Sequence, residues 1–156
     1  MGGALIKAGL IVGAGMFLCV LVAAVVSPLC ASCVAILAGV GAGYLTGAFE
    51  KPSSSAEVIR RGAAAGAIAA GMAFLAQILA AVINATVMQN PQFQGATVLL
   101  GLPLLSSNEV WIAQLLAGVC LGILNVGITA GLGAGGGAIW FSTAGKRGSL
   151  APPPLP

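Results

Sequence analysis

The chain has 156 residues, of which 59% are hydrophobic and 6% are charged, and its net charge is +3. A soluble domain contains about 25% charged residues, so this chain lacks the polar side chains that would cover a water-soluble surface. The composition excludes a soluble globular protein and predicts an all-α integral membrane protein. Its expected surroundings are the lipid bilayer, and no nucleic-acid partner is predicted.

Four apolar stretches are predicted to span the membrane as a four-helix bundle within a single domain, residues 1–149. They are residues 5–27, 31–49, 62–88 and 110–135. The first is interpreted as a retained span, because its apolar run exceeds the roughly 7–15 residues of a cleavable signal core. Ser27–Cys30 is a tight hairpin turn, and the proline and serines of Glu50–Arg61 favour a turn followed by a helix N-cap.

The third connection, Gln89–Glu109, is longer and mixed in character. Within it, residues 96–105 are apolar but too few to cross the hydrocarbon core, and Gly101 and Pro103 interrupt them. This segment is predicted to lie at the membrane interface or to re-enter the protein, with a short fifth helix as the alternative. The proline-rich end, residues 150–156, is predicted to be an extended tail.

The basic residues determine the predicted orientation. With four spans and a cytoplasmic N-terminus, all six lie on the cytoplasmic side, as the positive-inside rule requires, whereas five spans would put the last two outside. They are Lys7, Lys51, Arg60, Arg61, Lys146 and Arg147. The sequence therefore predicts a multi-pass protein of a bacterial-type plasma membrane with both termini in the cytoplasm.

Glycines recur at a spacing of four residues in every predicted span. Gly39, Gly43 and Gly47 fall on one helix face, because positions i and i+4 share a face. Such glycines weaken a helix in water, but in lipid they let two backbones approach closely. The predicted small-xxx-small packing surfaces comprise Gly9, Gly13, Gly39, Gly43, Gly47, Gly62, Gly66, Gly118, Gly122, Gly127 and Gly131.

The sequence also contains an internal similarity. Ala8–Val26 resembles Ala65–Ile83, and Leu37–Leu45 is identical to Leu116–Leu124 at six of nine positions. The first span thus matches the third and the second matches the fourth, which is the pattern of a duplicated helical hairpin with both copies in the same orientation. Chance similarity between Ala/Gly/Leu-rich helices is the alternative.

Groups able to carry out chemistry in the membrane are few. The carboxylates of Glu50, Glu57 and Glu109 all fall in connections, so the chain has a rotary-ATPase proteolipid's length and hairpin repeat without its intramembrane carboxylate. The neutral amides predicted inside the spans are Gln77, Asn84, Gln114 and Asn125. They are interpreted as interhelical hydrogen-bonding groups of the third and fourth spans. The alternative is the lining of a pore or carrier for a small neutral or hydrophobic solute.

Cys30 and Cys33 form a C-x-x-C pair at the start of the second span. Such a pair can form one disulfide, and a helix N-terminus can lower the pKa of its first thiol. The placement and span number resemble bacterial membrane proteins that pass electrons from periplasmic thiols to quinone. That family has a second cysteine pair in its second outer loop, and Gln89–Glu109 contains none. A structural disulfide, idle thiols and a redox pair therefore all stay open.

The predicted function is that of a small non-catalytic accessory or scaffold subunit. It would pack laterally with itself or within a larger membrane complex, without a cofactor or a metal. Zinc is not expected, because the chain has no histidine and Cys19 and Cys120 are distant from the C-x-x-C pair. The alternatives are a thiol-disulfide redox protein that uses Cys30 and Cys33, and the pore or carrier described above.

Overall fold

A computed structural model describes residues 3–27, 30–101 and 103–145. Most of the described residues are helical and none of them is in a strand, which confirms the all-α prediction. The helices are α1 Gly3–Val26, α2 Cys30–Glu50, α3 Ser55–Met88, α4 Pro91–Leu99 and α5 Ser107–Trp140, and a π-helical turn, Phe141–Gly145, follows α5. Four of them, α1, α2, α3 and α5, are long and apolar enough to cross a membrane. The chain is a multi-pass, membrane-type helical protein.

All four spanning helices begin before their predicted spans, α1 and α2 by one or two residues and α3 and α5 by more. α3 begins at Ser55 rather than at residue 62, because the Ser54 hydroxyl accepts a hydrogen bond from the Glu57 N–H at 3.3 Å and caps the helix there. α5 begins at Ser107, behind a capping box formed by Ser106 and Glu109. Hydropathy marks the part of a helix that suits lipid, whereas capping residues mark where the helix begins. The predicted N-cap in the second connection is confirmed.

The third connection contains the short helix α4. Asn90 caps it, and Pro91 occupies its first turn, where a missing N–H costs nothing. With nine residues, α4 is far too short to span a bilayer. It ends before Gly101, whose φ of 71° suits glycine, and the nearby Leu99 and Leu100 are exposed.

Contacts between glycines and neighbouring helices define the register of the bundle. Gly9 faces Ala65 and Ile68, and this offset of 56 to 59 residues includes the offset of 57 in the α1–α3 sequence similarity. α2 and α5 also run parallel, but Gly39 faces Thr129, an offset of 90 residues, whereas their similarity has an offset of 79. The two helices of each similar pair lie side by side, but only for α1 and α3 does the contact register match the sequence similarity, and duplication stays a prediction.

The core is built from small side chains. Thirteen of the buried apolar positions among the described residues are alanines, namely Ala8, Ala24, Ala31, Ala35, Ala42, Ala65, Ala69, Ala70, Ala73, Ala76, Ala80, Ala81 and Ala85. Large apolar side chains such as Leu18, Leu37 and Leu116 face outwards instead, as expected where the surrounding solvent is lipid. Pro28 and Leu29 of the hairpin turn, Lys146, Arg147 and the tail at 150–156 lie outside the described residues.

Candidate functional site

Three helices meet at a cluster of glycines, here called the glycine junction: Gly43 of α2, Gly62 and Gly66 of α3, and Gly133 and Gly137 of α5. A Cβ atom at Gly43 would fall on the Gly133 carbonyl oxygen and lie 2.8 Å from the Gly137 nitrogen. A Cβ atom at Gly133 would lie 2.5 Å from the Gly62 oxygen. Real Cβ atoms essentially never come closer than 3.0 Å to such neighbours. The three backbones therefore touch directly, and only glycine fits.

Other predicted packing glycines also face a neighbouring helix, but most of them meet side chains. A Cβ atom at Gly47 would lie 2.6 Å from the Trp140 ring, and one at Gly122 would lie 2.5 Å from the Phe74 ring. A ring can tilt away, whereas a carbonyl group in a helix cannot. Within this set the restriction is strictest at Gly39, where a Cβ atom would lie 2.7 Å from the Thr129 carbonyl oxygen. The predicted packing glycines that meet a neighbour outside the junction are Gly9, Gly13, Gly39, Gly47, Gly118 and Gly122.

The last two predicted packing glycines, Gly127 and Gly131, lie on the outer face of α5. A Cβ atom at either position would have no neighbour within 4 Å. Gly133, Gly136 and Gly137 pack inwards instead, and the sequence analysis missed them. The spacing of residues along α5 indicates these inward positions, because the face that carries Gly118 and Gly122 continues with one residue every three or four positions. Its later members are Asn125, Thr129, Gly133, Gly136 and Trp140, all buried.

A small crevice lies between α1, α3 and α5. Its lining includes the predicted amides Gln77, Asn84 and Gln114 together with Ala24 and Ala117, and its volume is about 10 Å³. The Asn84 amide nitrogen donates a hydrogen bond to the Ala24 carbonyl oxygen at 3.0 Å. That carbonyl belongs to the last turn of α1, which has no partner within its own helix. Asn84 therefore joins α3 to α1, rather than to α5 as predicted.

Two of the predicted amides are buried without a hydrogen bond to their oxygen. Gln77 and Asn125 are each 3% exposed. Neither Gln77 Oε1 nor Asn125 Oδ1 has a hydrogen-bond partner among the described residues. Leaving a buried acceptor unpaired costs about 1–3 kcal/mol. Of the two, Gln77 lines the crevice, whereas Asn125 lies farther along α5 on the face that also carries Thr129.

A cluster of charged groups ties three helices together at the opposite end of the bundle. Glu50, at the end of α2, accepts a hydrogen bond from the Leu5 N–H of α1 at 3.1 Å and pairs with Arg61 of α3. Arg61 also pairs with Glu57, one turn earlier on α3. Sequence spacing reveals the Glu57–Arg61 pair, because i and i+4 share a face. The Glu50 contacts depend on how the helices fold together, and sequence analysis did not find them.

The structure leaves all four cysteines, Cys19, Cys30, Cys33 and Cys120, as free and exposed thiols. Cys30 and Cys33 share the first turn of α2. Across the described part of the chain, no group of three or more His, Cys, Asp or Glu side chains is arranged to hold a metal ion. The redox role of Cys30 and Cys33 stays a prediction.

Comparison with known proteins gives no assignment. No protein-family model, no curated protein and no solved structure matches the chain. A function can therefore be argued only from four features of the structure itself. They are the glycine junction, the outward glycines of α5, the amide crevice and the ionic cluster around Glu50.

Proposed function

We propose that the protein is a non-catalytic subunit that packs laterally in the membrane, with a second copy or within a larger complex, through the outer face of α5. The observation that carries this proposal is a second row of glycines on that helix, here called the outer stripe: Gly127, Gly131 and Gly135. A Cβ atom at each of the three would meet nothing within 4 Å. The stripe is thus open on the surface of the bundle.

The inner face of α5 shows how a row of small residues at this spacing packs against other helices. Thr129, Gly133 and Gly137 each follow an outer glycine by two residues, a rotation of about 200°. The inner row brings α5 into backbone contact with α2 and α3. In lipid, where apolar surface gains nothing by leaving the solvent, small residues promote association by letting backbones pack closely. The outer stripe has the same spacing and offers the same surface to a further helix.

The orientation proposed for this subunit places both termini in the cytoplasm of a bacterial-type cell. The Leu5–Glu50 hydrogen bond brings the start of α1 to the same end of the bundle as the α2–α3 connection. The described basic residues Lys7, Lys51, Arg60 and Arg61 accordingly lie toward one end of the bundle, which the positive-inside rule assigns to the cytoplasm.

Cys120 provides a direct test of lateral packing. It is exposed and lies seven residues before Gly127, so it extends the face of the outer stripe by two turns. In a symmetric dimer, equivalent residues near the two-fold axis face each other. In a variant with Cys19, Cys30 and Cys33 replaced by serine, mild oxidation in native membranes is expected to form a disulfide between Cys120 and either Cys120 of a second copy or a cysteine of a stoichiometric partner.

Substitutions in the stripe distinguish specific packing from chance collision. Gly131→Leu is expected to abolish the Cys120 cross-link, because the side chain fills the surface that the neighbouring helix would occupy. Gly15→Leu is the matched control, since Gly15 on α1 also has nothing within 4 Å of its Cβ position, and it should leave the cross-link intact. A monomeric particle in mild detergent, or a cross-link that Gly131→Leu does not reduce, would contradict the proposal.

A further inference from the structure

One of the residues that line the crevice between α1, α3 and α5 has a buried acceptor without a partner among the described residues. Gln77 is 3% exposed, its Oε1 atom has no partner among the described residues, and the residue lines the crevice. Asn84 and Gln114 line the same space and are only partly buried. We propose that this crevice is a binding site for one water molecule, which donates a hydrogen bond to Gln77 Oε1.

The packing of the bundle explains why the crevice is located there. α2 contacts α5 through Ala35 and Thr129, whose hydroxyl donates to the Ala35 carbonyl oxygen at 3.4 Å, and through glycines beyond that point. Gln114 and Gly118 come earlier on α5, and no residue of α2 lines the crevice. The residues that line the crevice belong to α1, α3 and α5, so it lies where these three helices meet.

The volume of the crevice and the polar groups that line it both suit a water molecule as the ligand. The crevice volume of about 10 Å³ is close to the minimum for one water molecule and too small for a larger solute. Its polar groups are uncharged amides, which offer both acceptors and donors, so they suit a neutral ligand that can do both. A buried water usually makes about three hydrogen bonds, and the amides of Gln77, Asn84 and Gln114 provide that number of polar partners.

Nuclear magnetic resonance of the full chain in phosphatidylcholine nanodiscs tests this site. The side-chain amides of glutamine and asparagine are labelled with ¹⁵N, and magnetisation transfer from water to each amide is measured. Wild type is expected to show a water cross-peak at the Gln77 amide despite its burial. Ala117→Val, at an exposed position of the lining, is expected to displace the water and remove that cross-peak while the helical content is unchanged.

Gln77→Leu provides the second arm. Removing the acceptor is expected to abolish the water cross-peak at Asn84, whereas Gln92→Leu, at an exposed position on α4, should leave it intact. Absence of a water cross-peak at Gln77 in wild type would overturn the proposal. So would a cross-peak at Gln77 that appears only when the nanodiscs contain a hydroxyl-bearing lipid such as phosphatidylglycerol, since the ligand would then be the lipid.

Discussion

Glu50 and Arg61 form an ion pair in which the acid is almost completely covered and the base is not: the Glu50 side chain is 5% exposed and the Arg61 side chain is 38% exposed. Glu50 ends α2, where the negative end of that helix dipole disfavours a carboxylate. Arg61 and the free N–H of Leu5, in the first turn of α1, offset this disadvantage. Glu50 therefore joins α2 to α3 through Arg61 and to α1 through Leu5 at one end of the bundle.

Replacement of Glu50 is expected to weaken this end of the bundle. A hydrogen bond to a charged group contributes about 1.5–3 kcal/mol, and Glu50→Gln retains an acceptor for Leu5 but loses the charge. We expect a loss of about 1–2 kcal/mol in the free energy of unfolding, measured by denaturant titration in mixed micelles. Glu57→Gln is the control and should cost much less, because Glu57 is 37% exposed. Equal losses in the two variants would contradict this account of Glu50.

Two glycines on α2 make a matched pair for testing the glycine junction. Gly43→Ala would place a methyl group on the Gly133 carbonyl oxygen, and α2 would have to move away from α5. Overpacking of this kind costs about 1–3 kcal/mol. Gly41→Ala, two residues away with nothing within 4 Å of its Cβ position, is expected to be neutral or to stabilise the helix by up to about 1 kcal/mol. Unfolding of both variants in the same micelles would show the difference, and equal effects would refute the backbone contact.

Loss of the hydrogen bond from Asn84 to α1 is expected to lower the free energy of unfolding by less than the Glu50 and Gly43 substitutions do. Asn84→Leu removes the donor to the Ala24 carbonyl oxygen, and interhelical hydrogen bonds in membranes average about 0.6 kcal/mol, with a maximum near 1.7. We expect Asn84→Leu to lower the free energy of unfolding by an amount in that range. Thr86→Val is the control, because the Thr86 hydroxyl bonds to the Ile83 carbonyl oxygen within α3 and joins no second helix. If Thr86→Val lowered the free energy of unfolding as much as Asn84→Leu, the hydrogen bond to α1 would not explain the effect.

Thiol accessibility tests the proposed orientation. Cys30 and Cys33 are exposed at the start of α2, away from Glu50 and Arg61. A membrane-impermeant maleimide added to intact cells is therefore expected to label wild type but not a Cys30→Ser, Cys33→Ser variant, as mass spectrometry would show. Labelling that occurs only in lysed cells would indicate the opposite orientation in the membrane. Recovery of a disulfide between the two residues from intact cells would exclude idle thiols and leave the structural disulfide and the redox pair.

The helical fold and the number of apolar helices could be predicted because lipid imposes a strong composition on a spanning segment. The ends of α1 and α2 were predicted to within two residues, because their apolar runs stop at the turns. The start of α3 was predicted seven residues too late, because the cap at Ser54 lies in the polar connection ahead of the apolar run. At the end of α5 the run of glycines from Gly131 to Gly137 hid the register, because glycines occupy both faces. Buried Asn125 and Thr129 reveal the inner face, but their burial is a tertiary property.

The candidate sites were predictable to different degrees for a similar reason. The amides Gln77, Asn84 and Gln114 could be selected from sequence, because polar groups in an apolar helix are rare. The partner of Asn84 could not, since it is a main-chain carbonyl of α1. Glu50 was assigned to a connection because a charge suggests an exposed position. Its burial depends on a main-chain N–H 45 positions away, which no local pattern encodes.

The uneven support of α5 by its neighbours also determines where the bundle is weakest. Ahead of Thr129 the helix rests mainly on α3, while beyond it α2 and α3 both hold its backbone at van der Waals distance. Main-chain amides of α4 and of the first turns of α5 should therefore exchange with deuterium soonest, through partial openings that leave the far end closed. Complete unfolding would then begin beside the amide crevice, and the glycine junction would separate last.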